Sequence, residues 1–321
     1  MTVSEYQTGS EAFAALLAEH DTVTILSHIQ PDADAIGTAL GVYHWLKEQG
    51  KRVEVVNASS PMPLHLDFLP GYTKVKQHID YNDGLVITCD CGSFDRLGFD
   101  LEGRTIVNID HHITNTRFGT LNLVDTDAVA SAQIAYGLLK DLHPISSQSA
   151  VAFYAALVSD TRNFTTGNMH AGIFALAQEL VACGVNVPDV TRQMLHRRSL
   201  ASLRILGSAI ASLELVRNGR VAVMTLPREE QLRWGAETSD MDGIVDYARS
   251  LVTVRLAILL VEHEDHIKVS LRSKGADVSR IARHFGGGGH REAAGFETAE
   301  GVSFETIRSQ LLEQIDRIGV V

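Results

Sequence analysis

Apolar residues follow two rhythms along the first half of the chain. Short, nearly continuous apolar runs read as buried strands: Val23-Thr24-Ile25-Leu26, Val53-Glu54-Val55-Val56, Leu85-Val86-Ile87-Thr88-Cys89 and Thr105-Ile106-Val107-Asn108-Ile109. Between them apolar residues fall at helical spacing, with Phe13, Leu16 and Leu17 in a short helix that Ser10 could cap, and Ile36, Leu40, Tyr43 and Leu46 in the next. Strands without alternation, interleaved with helices, predict an α/β fold whose parallel sheet is covered by helices on both faces. The 61–70 region reads as a loop, and from Ala130 to about Leu213 the pattern is mostly helical, with breaks near Pro144, Gly167 and Gly184.

The pattern then restarts. Val221–Met224 reads as a strand, followed by a helix, a longer strand from Leu251 to Val261, and an alternating half-buried strand from Ile267 to Leu271. A glycine run, Gly286 to Gly289, precedes a last helix with Phe304, Ile307, Leu311 and Ile315 on one face. The expected organisation is a first domain over 1–189, a helical connector over 190–213, and a smaller α/β domain over 214–321.

Length agrees with two domains, since 321 residues is long for one. The formal charge of -11 excludes a protein that wraps long nucleic acid electrostatically, yet leaves room for a short phosphorylated ligand held by a few local cations. The polar start MTVSEYQTGS lacks the features of a signal peptide, and the longest apolar run, Val254 to Val261, contains Arg255 and is too short to span a bilayer, so no membrane partner is expected. Three cysteines make no disulfide framework, which points to a reducing cytoplasm. Cys89 and Cys91 lack redox C-x-x-C spacing and read as core filling.

Candidate chemistry gathers where strands end. His28, Asp32 and Asp34 lie on the turn between the first strand and its helix, at the carboxyl edge where open α/β sheets bind ligands. Imidazole with carboxylate suits hard or borderline divalent metals. Asp34 could equally be a helix N-cap and Asp32 a turn former. Asp90 ends the third strand, where extended geometry would aim it away from Cys89 and Cys91; it could instead start a turn before Gly92. Asp110-His111-His112 ends the fourth strand, and Asp160 follows an apolar helical run, where it could cap what comes next. Four such coincidences on successive elements favour a site. Two metals sharing a bridging carboxylate would neutralise its charge and activate water for in-line phosphoryl chemistry. In the second domain the glycine run could let backbone amides approach an anion, with Arg272 and His290 at hand; a flexible loop and an exposed arginine are the alternatives.

His28-x-x-x-Asp32-x-Asp34, Asp90, Asp110-His111-His112 and Asp160-Thr161, followed by Gly286-Gly287-Gly288-Gly289-His290-x-x-Ala293-Ala294-Gly295, resemble the DHH/DHHA1 phosphoesterase family in order over nearly the whole chain. The length resembles its nanoRNase and pAp phosphatase branch; RecJ exonucleases are much larger, and family II pyrophosphatases lack the glycine-histidine motif. The resemblance implies two Mn²⁺ ions, with Mg²⁺ as the substitute. His28, Asp32 and Asp90 would hold one, and Asp34, Asp90, His111 and Asp160 the other, with Asp90 bridging. It further implies that His112 faces the substrate phosphate, that Asp110 supports the site, and that Arg272, Gly287, Gly288, Gly289 and His290 bind substrate from the second domain, across a cleft. The implied activity is hydrolysis of short single-stranded oligoribonucleotides to 5′-mononucleotides and of 3′-phosphoadenosine 5′-phosphate (pAp) to AMP, in the cytoplasm, by a homodimer. Linear dinucleotides from cyclic-dinucleotide turnover are the neighbouring substrate class, and a non-catalytic nucleotide-sensing module is the rival. Two positions depart from the pattern: Ala33 stands where the family often has Gly, and Arg162 follows Asp160-Thr161 where Gly is common.

Overall fold

The computed structural model describes residues 2–319, which form two compact units parting between Arg197 and Arg198. The first unit contains α1 (Val3–Ala18), β1 (Thr22–Ser27), α2 (Ala33–Glu48), β2 (Arg52–Val56), β3 (Val75–Lys76), β4 (Leu85–Cys89), β5 (Thr105–Asp110), β6 (Leu121–Val124), α3 (Ser131–Leu139), α4 (Ser147–Asp160), α5 (Ala171–Ala182) and α6 (Val187–His196). Its six strands are parallel in the order β3-β2-β1-β4-β5-β6. Every residue of β1 and β4 is buried, which explains their unbroken apolar character. The sheet runs outward in opposite directions from β1 and β4, so the order reverses there, at the position where such sheets bind ligands. Register puts Ser27 beside Cys89 and Cys89 beside Ile109. The next residues, His28, Asp90 and Asp110, therefore come side by side at the carboxyl edge, Asp110 as the last residue of β5.

Two expectations are corrected locally, and two short strands were not anticipated. The first helix starts at Val3, capped by Thr2 in a reciprocal box with Glu5, not at Ser10. Ser10 lies inside it and donates its hydroxyl to the carbonyls of Tyr6 and Leu138. Asp32, not Asp34, is the N-cap of α2, accepting from the Ala35 amide at 3.0 Å. The short edge strands β3 and β6 carried too few residues to show a period.

Helices α2 and α4 pack through glycine. A Cβ at Gly37 would lie 2.6 Å from the Ala152 carbonyl oxygen, and one at Gly41 2.2 Å from the Phe153 ring. The close approach matters to the site, because α2 begins beside Asp32 and Asp34 and α4 ends on Asp160.

The second unit contains α7 (Leu200–Ala211), β7 (Glu214–Val216), β8 (Val221–Leu226), α8 (Arg228–Trp234), α9 (Ile244–Ser250), β9 (Leu256–Glu262), β10 (Ile267–Ser273), α10 (Ser279–His284), β11 (Gly288–His290), β12 (Ala293–Glu297) and α11 (Phe304–Ile318). Its mixed sheet runs β11-β12-β10-β9-β8-β7, with β8 and β9 the parallel pair. The 190–213 stretch is the end of α6 and the whole of α7, one in each unit. The expected strand from Leu251 begins only at Leu256, because Leu251 and Val252 are exposed and follow the end of α9. Half of the glycine run is itself a strand, β11, pressed against β12: a Cβ at Gly289 would sit 2.6 Å from Ala294 Cα, and Gly289 has a φ of 129°. Among the described residues no single helix is long and apolar enough to cross a membrane.

Gly→Ala inside a helix normally stabilises by about 0.5–1 kcal/mol. At Gly37 the new methyl meets a backbone carbonyl that cannot turn aside. Gly37→Ala is therefore expected to lower the denaturant midpoint, by about 1–3 kcal/mol. A variant as stable as the parent would refute this close packing of α2 on α4.

Candidate metal centre

The ends of β1, β4, β5 and α4 deliver their polar residues to one place. Asp90 stands at the middle. Its Oδ2 lies 3.5 Å from His28 Nε2, and its Oδ1 lies 3.6 Å from His111 Nε2 and 3.5 Å from His112 Nδ1. His111 Nε2 also reaches Asp160 Oδ2 at 3.4 Å and Asp34 Oδ2 at 3.9 Å. Three overlapping sets, His28-Asp32-Asp90, Asp34-His111-Asp160 and Asp90-His111-His112, each bring one donor atom per residue within 4.8 Å of the others. Asp90 adopts φ 56°, a left-handed conformation, so the extended geometry expected for it does not apply. The buried Cys91 turns to the Ser93 carbonyl, away from the cluster.

A further layer fixes these groups. Asp34 is fully buried and accepts from Thr38 Oγ1 and from the Ser131 and Ala132 amides, so it caps α3, whose own N-cap residue, Ala130, supplies no side chain. Ser131 Oγ donates to Asp90 Oδ1 at 2.9 Å. Asp110 is buried, joined to His112 Nδ1 at 2.7 Å and to the Asn115 amide, which also donates to Asn108 Oδ1. The Arg96 guanidinium lies 3.0 Å from His28 Nδ1. Ser131 and Arg96 escaped the sequence reading because they are distant in the chain from their partners, and Asn115, five residues after Asp110, because it sits in a turn with no periodic pattern. Thr38 alone left a signal, one helical turn after Asp34.

So many acids in one pocket cannot all ionise cheaply. Burial, with the charges of Asp90 and Asp32, pushes Asp34 up to about 7, against the pull of His111 and the Ser131 amide. Burial and the neighbouring carboxylates hold Asp160 well above the usual carboxylate range. Asp32 stands at the exposed rim, where crowding by surrounding protein and the charge of Asp90 also raise it. Asp90 goes the other way: burial opposes its ionisation, but the hydrogen bond from His28 and the charges of three histidines outweigh that. His112 is raised to about 9 by its hydrogen bond to Asp110, against burial and with help from the charge of Asp90. Divalent cations would relieve this crowding, and the donors are the imidazoles and carboxylates such ions take. The residues fit a divalent metal centre.

In the second unit Arg272 and His290 are paired in register with the same residue, Ala293, from either side. Directly opposed residues share a sheet face, so the two side chains rise from one face, roughly 10 Å apart. Arg272 is half-buried and donates to the Leu271 carbonyl, while His290 is exposed. Gly288 and Gly289 belong to the same edge strand, and Gly287 just before it donates its amide to the Ala282 carbonyl. The two departures from the family pattern settle differently. Ala33 is an ordinary buried first residue of α2. Arg162, with φ 47°, opens three consecutive left-handed residues that continue through Asn163 and Phe164. Thr161 holds the segment by accepting the Phe164 amide on its hydroxyl and the Thr165 amide on its carbonyl. An arginine thus occupies a conformation that glycine adopts without cost.

Fold and site together define a two-unit α/β protein with a candidate metal centre in its first unit, and family models match both units: the DHH family, N-terminal domain, over residues 22–163 and the DHHA1 domain over residues 218–317. The chain belongs to the DHH/DHHA1 family. It is similar to the bifunctional oligoribonuclease and PAP phosphatase NrnA of Thermus thermophilus, at 32% identity over 94% of this chain and 91% of that protein. The Bacillus subtilis protein of the same name is 27% identical over 86% and 89%. A crystal structure of an exopolyphosphatase-related protein from Bacteroides fragilis superimposes with a TM-score of 0.88 at 26% identity, covering 97% of each chain.

The raised carboxylates and imidazole have a stability signature. Asp34 is protonated up to about pH 7 in the folded chain but only up to about 3.8 when unfolded. A raised folded-state value contributes stability that is complete below the unfolded value and is lost as pH rises through the folded one. Asp160 acts in the same direction, and His112 extends the loss from 6.5 to about 9. Metal-stripped protein is therefore expected to melt at lower temperature at pH 8 than at pH 5, and saturating Mn²⁺ to raise the melting temperature more at pH 8. A stripped protein that grows more stable across this window would contradict the assignment.

His112 gives a separate test in metal-stripped protein. Its imidazole should titrate by NMR near pH 9, and Asp110→Asn should return it toward 6.5. An unchanged titration in Asp110→Asn would show that the 2.7 Å contact does not hold the proton.

Proposed function

We propose that this protein is a metal-dependent phosphoesterase that hydrolyses short oligoribonucleotides to 5′-mononucleotides and pAp to AMP. The observation that carries the reading is the position of Asp90, whose two oxygens face two different donor sets. His28, Asp32 and Asp90 would hold one Mn²⁺, and Asp34, Asp90, His111 and Asp160 a second. Bound there, such ions supply Lewis acidity toward phosphoryl oxygens and lower the pKa of water. The names of the Thermus and Bacillus relatives support the choice of substrates.

The chain's own residues have distinct tasks in this reading. Asp110 accepts the Nδ1 proton of His112 and keeps the ring cationic, which leaves Nε2–H to donate to a phosphoryl oxygen or to the departing oxygen. Ser131 and Thr38 keep Asp90 and Asp34 oriented without adding charge. Arg272, His290 and the backbone edge at Gly288 and Gly289 bind a second phosphate of the substrate, whereas the Gly287 amide is given to the Ala282 carbonyl at 2.9 Å and shapes the approach to that edge. The net charge of -11 favours short substrates, because long polyanions are repelled outside local cationic patches.

Labelled di- to decaribonucleotides and pAp, incubated with Mn²⁺, test the reading. Mononucleotides should accumulate from the shortest oligomers, rates per end should fall with length, and pAp should yield AMP. Activity confined to linear dinucleotides would favour the cyclic-dinucleotide pathway, rising rates on long strands a RecJ-like nuclease, and no turnover with full metal content a sensing module. Arg272→Ala should lower kcat/KM by roughly tenfold to a hundredfold, from loss of a charge-assisted contact of about 1.5–3 kcal/mol, with bound metal unchanged. Unaltered kcat/KM would remove Arg272 from the substrate site.

A further inference from the structure

Arg96 sits on the short turn Phe94–Leu97 that follows β4 and belongs to neither the metal-donor sets nor the substrate residues named above. The backbone carbonyl of Arg96 accepts the Ile29 amide at 2.8 Å, which ties this turn to the loop carrying His28. The half-buried guanidinium lies 3.0 Å from His28 Nδ1, and among the described residues no carboxylate pairs with it. This is unusual beside a cluster rich in aspartates. A guanidinium stays charged under all ordinary conditions, and its cost rises as water is excluded from it unless an anion is at hand.

The His28 ring cannot satisfy both of its neighbours. Its Nδ1 is 2.8 Å from the Ile29 carbonyl, an acceptor, and 3.0 Å from the Arg96 Nη2, a donor. Its Nε2 faces Asp90. A histidine that gives its Nε2 lone pair to a cation carries its proton on Nδ1, and that proton belongs to the Ile29 carbonyl. That Arg96 Nη2–H then confronts another N–H, and among the described residues no side-chain oxygen accepts it.

We infer that Arg96 is a substrate-positioning residue that receives a phosphate oxygen of the substrate at the His28 side of the centre. The inference rests on the proposed phosphoesterase reading and adds to it a cation of the first unit, separate from Arg272. The ligand chemistry is a phosphate monoester or diester, gripped by a planar fork that lysine cannot reproduce.

The charge of Arg96 next to a metal-holding imidazole makes an unusual prediction. Removing it takes away a repulsion from any cation on His28, so metal and phosphate affinity should move in opposite directions. In Arg96→Gln, Mn²⁺ titration should show affinity equal to or tighter than the parent, while calorimetric binding of 5′-AMP, the reaction product, to the Mn²⁺-loaded protein should weaken by tenfold or more. KM for a dinucleotide should rise more than kcat falls, and Arg96→Lys should recover only part of the loss. A residue that merely braces the turn would weaken Mn²⁺ and AMP binding together, and that result would overturn the inference, as would unchanged AMP affinity. If the parent protein turns over no oligoribonucleotide or pAp, the proposed function fails by itself, and the opposed Mn²⁺ and AMP responses still decide the role of Arg96.

Discussion

The rest of the first unit depends on the cost of gathering several carboxylates in one buried pocket. Asp34 and Asp90 have almost no contact with solvent, yet each faces further acids. The fold meets this cost in three ways. Backbone amides at the start of α3 and the Thr38 hydroxyl serve Asp34. Three imidazoles and the Ser131 hydroxyl surround Asp90. Asp34 and Asp160 rise in pKa until they hold protons that a divalent cation would displace. The site is thus held in a state of electrostatic tension that divalent cations would resolve.

That tension can exist only because the scaffold is stiff. The carboxyl ends of β1, β4 and β5 are locked in register by a fully buried sheet. Among the described residues no hydrogen bond links the fourth contributor, α4, to the sheet. Its position is set by packing on α2 at Gly37 and Gly41, where any side chain would push the helices apart. Asp34 then ties the start of α2 to the start of α3. The capping bond and the binding site are therefore the same group, which couples helix placement to whatever occupies the pocket.

The second unit uses backbone in place of charge. Its glycine run is closely packed: β11 lies against β12 at distances that exclude a Cβ at Gly287 and Gly289. This brings His290 and Arg272 to one face of the mixed sheet, and it leaves peptide N–H groups along an edge strand. Glycine is required there for the approach of two strands, whether or not an anion also approaches.

Much of this was legible in the amino-acid sequence. Unbroken apolar runs gave away a parallel sheet, because burial on both faces removes alternation. His28, Asp32, Asp34, Asp90, His111 and Asp160 stood out because polar residues at the ends of such strands have few structural reasons to recur. What stayed hidden was everything that depends on partners far apart in the chain. No local pattern distinguishes Ser131 from any helix-starting serine, or Arg96 from any surface arginine, until the fold sets them against Asp90 and His28. The left-handed turn at Asp90 and the protonation of His112 are likewise decided by surroundings rather than by spacing. Sequence by itself determined the elements and the donor atoms, because periodicity and residue chemistry are local. Tertiary structure alone decided which donors share a proton, a hydrogen bond or a charge, because those energies depend on distances that only the folded chain sets.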